Sequence, residues 1–279
     1  MLSEFIRKNI LLSDSQGIDH TLIVCFFSLT AIGFIMITSA TLDHAYQTRG
    51  NSFFFIIKHS IYLMMGIVLS IIVSRIKLKF YSDYSKIFLI LSLVLSLIIF
   101  IPGLGKEVNG AKRWLDLGFI TIQVSEISRL FIMFWICSFI SRSDINKVFN
   151  KCLFMIVTLS AIILFQKDFG STVLLIFTFF SLMLVTGLDL KKLFAYLALA
   201  LLAAIPLIIY QPYRLKRVIS FLNPWDDPSG SGYQLIASLL AFGKGGFWGL
   251  GLGSSVQKLN YLPESYNDFI FALIAEELG

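Results

Sequence analysis

The sequence predicts an all-α polytopic membrane protein, with about seven transmembrane helices and the start of an eighth. Three observations lead there. Of 279 residues, 57% are hydrophobic and only 14% are charged, whereas soluble domains carry roughly 25% charged residues. The 27 Phe residues suit a surface that faces lipid. The apolar residues also fall in runs close to the roughly 20 residues that a helix needs to cross a bilayer. Such a chain cannot cover itself with a polar surface, which excludes an ordinary soluble enzyme. It reads as an N-terminal tail, 1–20, and a single membrane domain, 21–279.

The runs follow in order. Residues 21–42 carry one charge-free run after the polar tail, too long for a cleaved signal segment and so a retained span. Residues 53–73 form the second, with Lys58 and His59 near one end. The third, 87–105, is free of charge. The fourth, 127–141, is weaker because Arg129 sits near its start. The fifth, 152–166, is short, and the sixth and seventh, 169–188 and 193–213, are clean. A last helix begins near Asp268 and stops with the chain at Gly279.

Charge orients the bundle. With the N-terminus inside, the inner segments hold eleven Lys and Arg, from Arg7 and Lys8 to Lys191 and Lys192. The short outer connections hold only Arg49 and Lys167. This asymmetry places the N-terminus in the cytoplasm. The net charge of +6 fits basic loops facing anionic lipid headgroups, or an anionic lipid substrate, and not nucleic acid. Three cysteines, Cys25, Cys137 and Cys152, follow no disulfide or metal spacing. The three histidines all lie in the first 60 residues, and neither HExxH nor a nucleotide signature occurs.

Two long outer loops, about 102–126 and 211–267, hold the densest information. The first carries Lys112-Arg113-Trp114 after a Gly/Pro/Asn turn. Two cations beside an aromatic suit a phosphate or sugar headgroup, and equally an interfacial anchor among lipid phosphates. The second holds four of the six prolines and eight of the 19 glycines, yet is rich in Phe, Leu, Trp and Tyr. It is therefore expected to be a structured loop lying on the bundle, with a short interfacial or re-entrant helix over 233–242. Arg214, Lys216 and Arg217 open it and suit either a diphosphate or lipid headgroups. Lys244, in Gly243-Lys244-Gly245-Gly246, and Lys258 are further candidate substrate contacts. The glycines around Lys244 resemble a phosphate-cradling turn without the strand context of a P-loop. Asp226-Asp227, between two prolines, reads as turn chemistry.

Asp268 directly precedes the apolar run FIFALIA. It suits a helix N-cap. It also suits a partly desolvated carboxylate at the membrane boundary, whose pKa burial would raise toward that of a general base. Glu276 and Glu277 follow on the same helix and need partners if it inserts.

The strings GAKRWLDLGFITIQVSEISRL, QKDFGSTVLL and RVISFLNPWDDPSGSGYQL through GLGSSVQKLNYLPESYNDFIFALIAEELG resemble the SEDS family of bacterial cell-wall proteins, the FtsW/RodA/SpoVE group. Within it the chain is most similar to the division branch. The resemblance implies a multi-pass protein of the bacterial inner membrane, at the division septum, with periplasmic loops 102–126 and 211–267. It implies an inverting peptidoglycan glycosyltransferase that polymerises lipid II and releases undecaprenyl diphosphate. The implied partners are a class B penicillin-binding protein, which is a transpeptidase, and other division proteins. The family's essential Asp falls on Asp268, as the base, with a divalent cation (Mg or Mn) nearby and no nucleotide. The Arg of its RW motif falls on Arg113, which with Arg214 and Arg217 would hold the donor diphosphate. Other roles proposed for such proteins are a lipid II flippase and a scaffold that recruits the transpeptidase. Where the family has HTD before FIFA, this chain has Ser265-Tyr266-Asn267-Asp268: the Asp is kept, the His and Thr are not. Family members continue through further spans, so a chain ending inside a helix at Glu276-Glu277-Leu278-Gly279 is expected to be a fragment.

Overall fold

The computed structural model describes residues 19–108, 110–116, 118, 121–259 and 261–279. Most of the expected 1–20 tail, with Arg7 and Lys8, lies outside the described residues. The helices come in the expected order: α1 (His20–Arg49), α2 (Phe54–Arg75), the short α3 (Leu78–Asp83), α4 (Ser85–Ile98), α5 (Val124–Ser141), α6 (Ile145–Phe165), α7 (Phe169–Val185) and α8 (Leu190–Ile209). Then follow α9 (Pro212–Leu222), α10 (Tyr233–Gly245) and α11 (Ile270–Leu278). Among the described residues, α1, α2, α5, α6 and α8 are long and apolar enough to cross a membrane, while α4 and α7 are shorter apolar helices. The chain is a helical, multi-pass membrane protein.

Local chemistry sets the boundaries. Asp19 caps α1 by accepting the Leu22 N–H at 3.1 Å, and Gly50, at φ 66°, ends it in the left-handed region. Asp144 caps α6 in the same way, from Asn146 N–H at 2.9 Å. Pro212 starts α9 at its first turn, where a missing N–H is harmless. The seventh span is therefore shorter than expected, and a separate helix follows it.

The 102–126 connection adds a feature that the all-α expectation did not include. It forms a three-stranded antiparallel sheet, β1 (Gly105–Val108), β2 (Ala111–Asp116) and β3 (Thr121–Gln123), in the order β1-β2-β3. Trp114 pairs with Lys106 on one side and Gln123 on the other. The third span ends at Ile98, and turns closed by Ile101 N–H on the Ile98 carbonyl and Leu104 N–H on the Ile101 carbonyl lead from it into the sheet.

The chain divides into two compact units. The first comprises Ser74–Leu202; the second comprises, of the described residues, 19–73 and Ala203–Gly279. The first has a core of large side chains from α5, α6 and α7, including Ile132, Ile136, Ile156, Leu175, Phe179 and Met183. The second has a core of small ones, Ala40, Ala237, Ala241 and Ala272, with Met36, Leu262 and Leu273. A Cβ on Gly245 would run into the Ala275 backbone carbonyl, so α10 and α11 touch almost backbone to backbone. Small residues at helix contacts permit that approach.

Candidate functional site

In the first unit, β2 carries Lys112, Arg113 and Trp114. Lys112 is exposed, while Arg113 and Trp114 are half-buried. Arg113 donates from Nη2 to the Lys167 carbonyl at 2.6 Å, and Lys167 donates from Nζ to the Gly110 carbonyl at 2.9 Å. This exchange ties the hairpin to the turn between α6 and α7, where Lys167 has φ 60°. The Nε of Arg113 is buried without a hydrogen-bond partner, which leaves a cationic donor to be satisfied. Below the hairpin, Asp168 caps α7 and gathers four donors. These are Ser171 N–H at 3.1 Å, Ser171 Oγ at 2.7 Å, Ser125 Oγ at 3.1 Å and Gln123 Nε2 at 3.3 Å. The sequence reading gave Asp168 no role; its place before an apolar run was the available signal. At the hairpin's rim, the Gly118 N–H and Lys106 hold the exposed Asp116 carboxyl below the usual carboxylate range.

In the second unit lie Arg214, Arg217, Lys244, Lys258 and Asp268. Arg214 donates from Nη1 to the Leu207 carbonyl at 2.9 Å, and Arg217 lies 4.9 Å from the centre of the Tyr213 ring. Lys216 pairs with Asp227 at 3.3 Å. Asp227 also accepts from Ser231 N–H and Oγ, each at 3.0 Å. Ser231 and Lys216 together pull the Asp227 carboxyl below its ordinary pKa. Lys244 is exposed in the last turn of α10. The Gly243–Gly246 stretch is thus a helix C-terminus, which presents carbonyls, and not the N–H cradle that a phosphate turn requires.

Asp268 is exposed, and α11 begins only at Ile270, with Phe269 at the cap position. Two expectations are corrected here. Asp268 is not the N-cap, because it stands one residue too early. Nor do neighbouring side chains desolvate it. Its surroundings are nonetheless well ordered by contacts. Asn267 donates from its N–H to the Glu264 carbonyl at 3.0 Å and from Nδ2 to Glu264 Oε2 at 2.8 Å. Glu264 sits at φ 54°. Ser265 is buried, and the Tyr266 ring lies 5.0 Å from His44 and 6.3 Å from Phe55. Burial and the neighbouring Glu264 push the Tyr266 hydroxyl pKa up. A cavity of about 280 Å³ opens beside this turn, lined among others by His44, Lys258, Glu264 and Tyr266. His44 had no role in the sequence reading.

Lys258 also lines that cavity, and its charge is held by partners within the chain. Its ammonium donates to Glu277 Oε1 at 3.1 Å, Ser39 Oγ at 3.1 Å and the Gly253 carbonyl at 2.6 Å. An ammonium has three donors, and all three are engaged within the chain. Glu276 accepts from Ser255 Oγ and from the N–H groups of Val256 and Gln257, each of these two at 3.3 Å. The acids of α11 therefore have the partners that burial demands. As for a divalent cation at Asp268, no group of three or more His, Cys, Asp or Glu that could ligate one occurs among the described residues.

A family model described as a cell cycle protein, for FtsW, RodA and SpoVE, matches residues 19–279. The chain belongs to the SEDS family. It is 41% identical over 270 residues to the probable peptidoglycan glycosyltransferase FtsW of Coxiella burnetii, covering 95% of this chain and 73% of that protein. It is 41% identical over 266 residues to the protein of the same name from Escherichia coli O6:H1, covering 94% of this chain and 64% of that one. Among solved structures, it resembles a chain of a peptidoglycan synthase complex, described as coordinating polymerization and crosslinking. That match has a TM-score of 0.71 at 22% identity, covering 95% of this chain and 72% of that one. It also resembles RodA of Thermus thermophilus, with a TM-score of 0.55 at 23% identity, covering 68% and 60%. These two likenesses concern the fold. The chain thus spans between 60% and 73% of the length of these relatives.

Proposed function

We propose that this chain belongs to a peptidoglycan glycosyltransferase of the FtsW type, which polymerises lipid II and releases undecaprenyl diphosphate. The observation that carries the reading is the 41% identity, across nearly the whole chain, to proteins bearing that name. Asp268 is the base. Its exposed carboxylate takes the proton of the acceptor sugar hydroxyl as that oxygen attacks the anomeric carbon of the donor. The diphosphate leaves with the electrons of the broken bond. A single displacement inverts the donor's α-linkage to β and needs one base and no covalent enzyme intermediate.

The cations supply anion binding. In the first unit, the unpartnered Nε of Arg113 suits a phosphate oxygen. In the second, Arg217 lies exposed on α9, the helix that also carries Arg214 and Lys216. The working place of the protein is the bacterial inner membrane at the division septum, with the N-terminus in the cytoplasm and loops 102–126 and 211–267 in the periplasm. Its partner is a class B penicillin-binding protein; the structural likeness to a complex of polymerization and crosslinking supports this.

The test is Asp268→Asn in the full-length protein, assayed for polymerisation of purified lipid II in detergent. Loss of a general base lowers the rate roughly 10²–10⁴-fold. An unchanged rate and polymer length would remove Asp268 from catalysis. Transbilayer movement of labelled lipid II without polymer would favour the flippase instead.

A further inference from the structure

Asp268 lies on a segment whose two ends are joined. Lys258 stands ten residues before it and Glu277 nine after. Their side chains meet at 3.1 Å and are 9% and 0% exposed. Ser39, from α1, accepts from the same ammonium at 3.1 Å and donates to both Glu277 oxygens at 3.1 and 3.3 Å. The clasp is closed further by the backbone. Ser255 N–H reaches Glu277 Oε1 at 3.3 Å, and the Leu250 and Gly251 N–H groups satisfy the carbonyls of Glu276 and Glu277 at 2.9 and 3.0 Å. Within the loop, Leu262 is buried in the small-residue core and its N–H donates to the Gln257 carbonyl at 3.0 Å.

Such a clasp is a poor device for stability alone. Taking two charges out of water offsets most of their attraction, and an apolar pair of similar volume often holds a fold equally well. What a buried, fully hydrogen-bonded ion pair supplies is geometry, because few other arrangements satisfy every partner. Beside Asp268, Asn267 is tied to Glu264 by two hydrogen bonds, so the turn that carries the carboxylate is internally braced, and the clasp fixes where that braced turn stands. A general base must stand within hydrogen-bond reach of the proton that it takes.

We propose that Lys258, Glu277 and Ser39 are positioning residues, which clip the ends of the 258–277 segment and so aim Asp268. Lys258 then acts through Asp268 and not on the substrate. The inference rests on the reading of Asp268 as the base.

The test uses the full-length protein with Lys258→Met, Glu277→Gln, the apolar pair Lys258→Met/Glu277→Leu, and the gentler Ser39→Ala. With lipid II, each of the first three is expected to lower kcat roughly 10²-fold, the scale of a misplaced catalytic group, with KM little changed. Ser39→Ala should show a smaller loss of the same kind. The apolar pair should keep the parent's melting temperature in detergent while its kcat stays low, which a purely structural role does not allow. Independently of activity, a nitroxide on Asp268→Cys, in a background without other cysteines, should be immobilised in the parent clasp. It should become mobile in Lys258→Met and in Ser39→Ala. Parent kcat together with an unchanged nitroxide spectrum in Ser39→Ala and the apolar pair would overturn the proposal. Full activity of Asp268→Asn would instead overturn the reading beneath it, and the nitroxide would still report on the clasp.

Discussion

The two units bury polar groups in opposite ways. The first packs large side chains around α5, α6 and α7 and places one carboxylate, Asp168, among hydroxyls and an amide. The second brings α10 and α11 together through Gly and Ala and buries two carboxylates and one ammonium between them and a loop. The difference follows from spacing. Where helices stand a side chain apart, shape complementarity fills the gap and neutral groups suffice. Where backbones nearly touch, no side chain fits between them. The loop's own N–H groups then lie close enough to surround the acids at the helix end.

Three experiments sharpen this contrast. The largest effect belongs to the first unit's hub. Asp168→Ala leaves the Ser171 N–H and one of the two serine hydroxyls without an acceptor, while Ser125 Oγ and Ser171 Oγ still pair at 3.1 Å and Gln123 still reaches Ser125 Oγ at 3.3 Å. At 1–3 kcal/mol for each orphaned group, partly relieved by water, the expected destabilisation is about 4 kcal/mol. Thermal unfolding in detergent measures it, and a change below about 1 kcal/mol would show the hub to be dispensable.

Next is the close approach in the second unit. Gly245→Ala should destabilise by about 3 kcal/mol, because the backbone carbonyl that it meets cannot move aside cheaply. Gly243→Ala, two residues away on the same helix with open space around it, should be neutral or stabilising by up to ~1 kcal/mol through helix propensity. Equal effects at both positions would mean that the small-residue contact is not what limits the packing.

The smallest effect is at the surface of the second unit. Ser231 and Lys216 lower the Asp227 pKa on folding. Its contribution is therefore present above the ordinary carboxylate pKa and is lost as pH falls through the lower folded value. Melting temperature followed from pH 6 downward, a window set by the ordinary Asp pKa of about 4, should fall less steeply in Asp227→Asn than in the parent. Parallel curves would show that the Asp227 turn is not linked to folding.

The helices were legible because crossing a bilayer is a local demand: a run of apolar residues states it without reference to any partner. That is why α1, α2, α5, α7 and α8 fall close to the hydrophobic runs, whereas α6, expected to be short over 152–166, starts earlier at Ile145 and is long enough to cross a membrane. The sheet was not legible. Ala111–Asp116 reads AKRWLD, which lacks the apolar alternation of a half-buried strand, and its pairing depends on turns whose geometry composition does not state. The helix α9 was hidden by the adjacent span, although Pro212 marks its start.

Of the candidate site, the sequence singled out the residues: an Asp before an apolar helix, two acids within it, and cations clustered in two long loops. Only the tertiary structure decided how each is used. Lys258 turned out to be committed to Glu277, and Asp268 stood free of the helix cap. Ser39, 238 residues from Glu277 in the chain, became its partner. The physical reason is that hydrophobicity sums along neighbouring residues, whereas the partner of a buried charge is chosen by proximity in space, and proximity is set only when the helices pack.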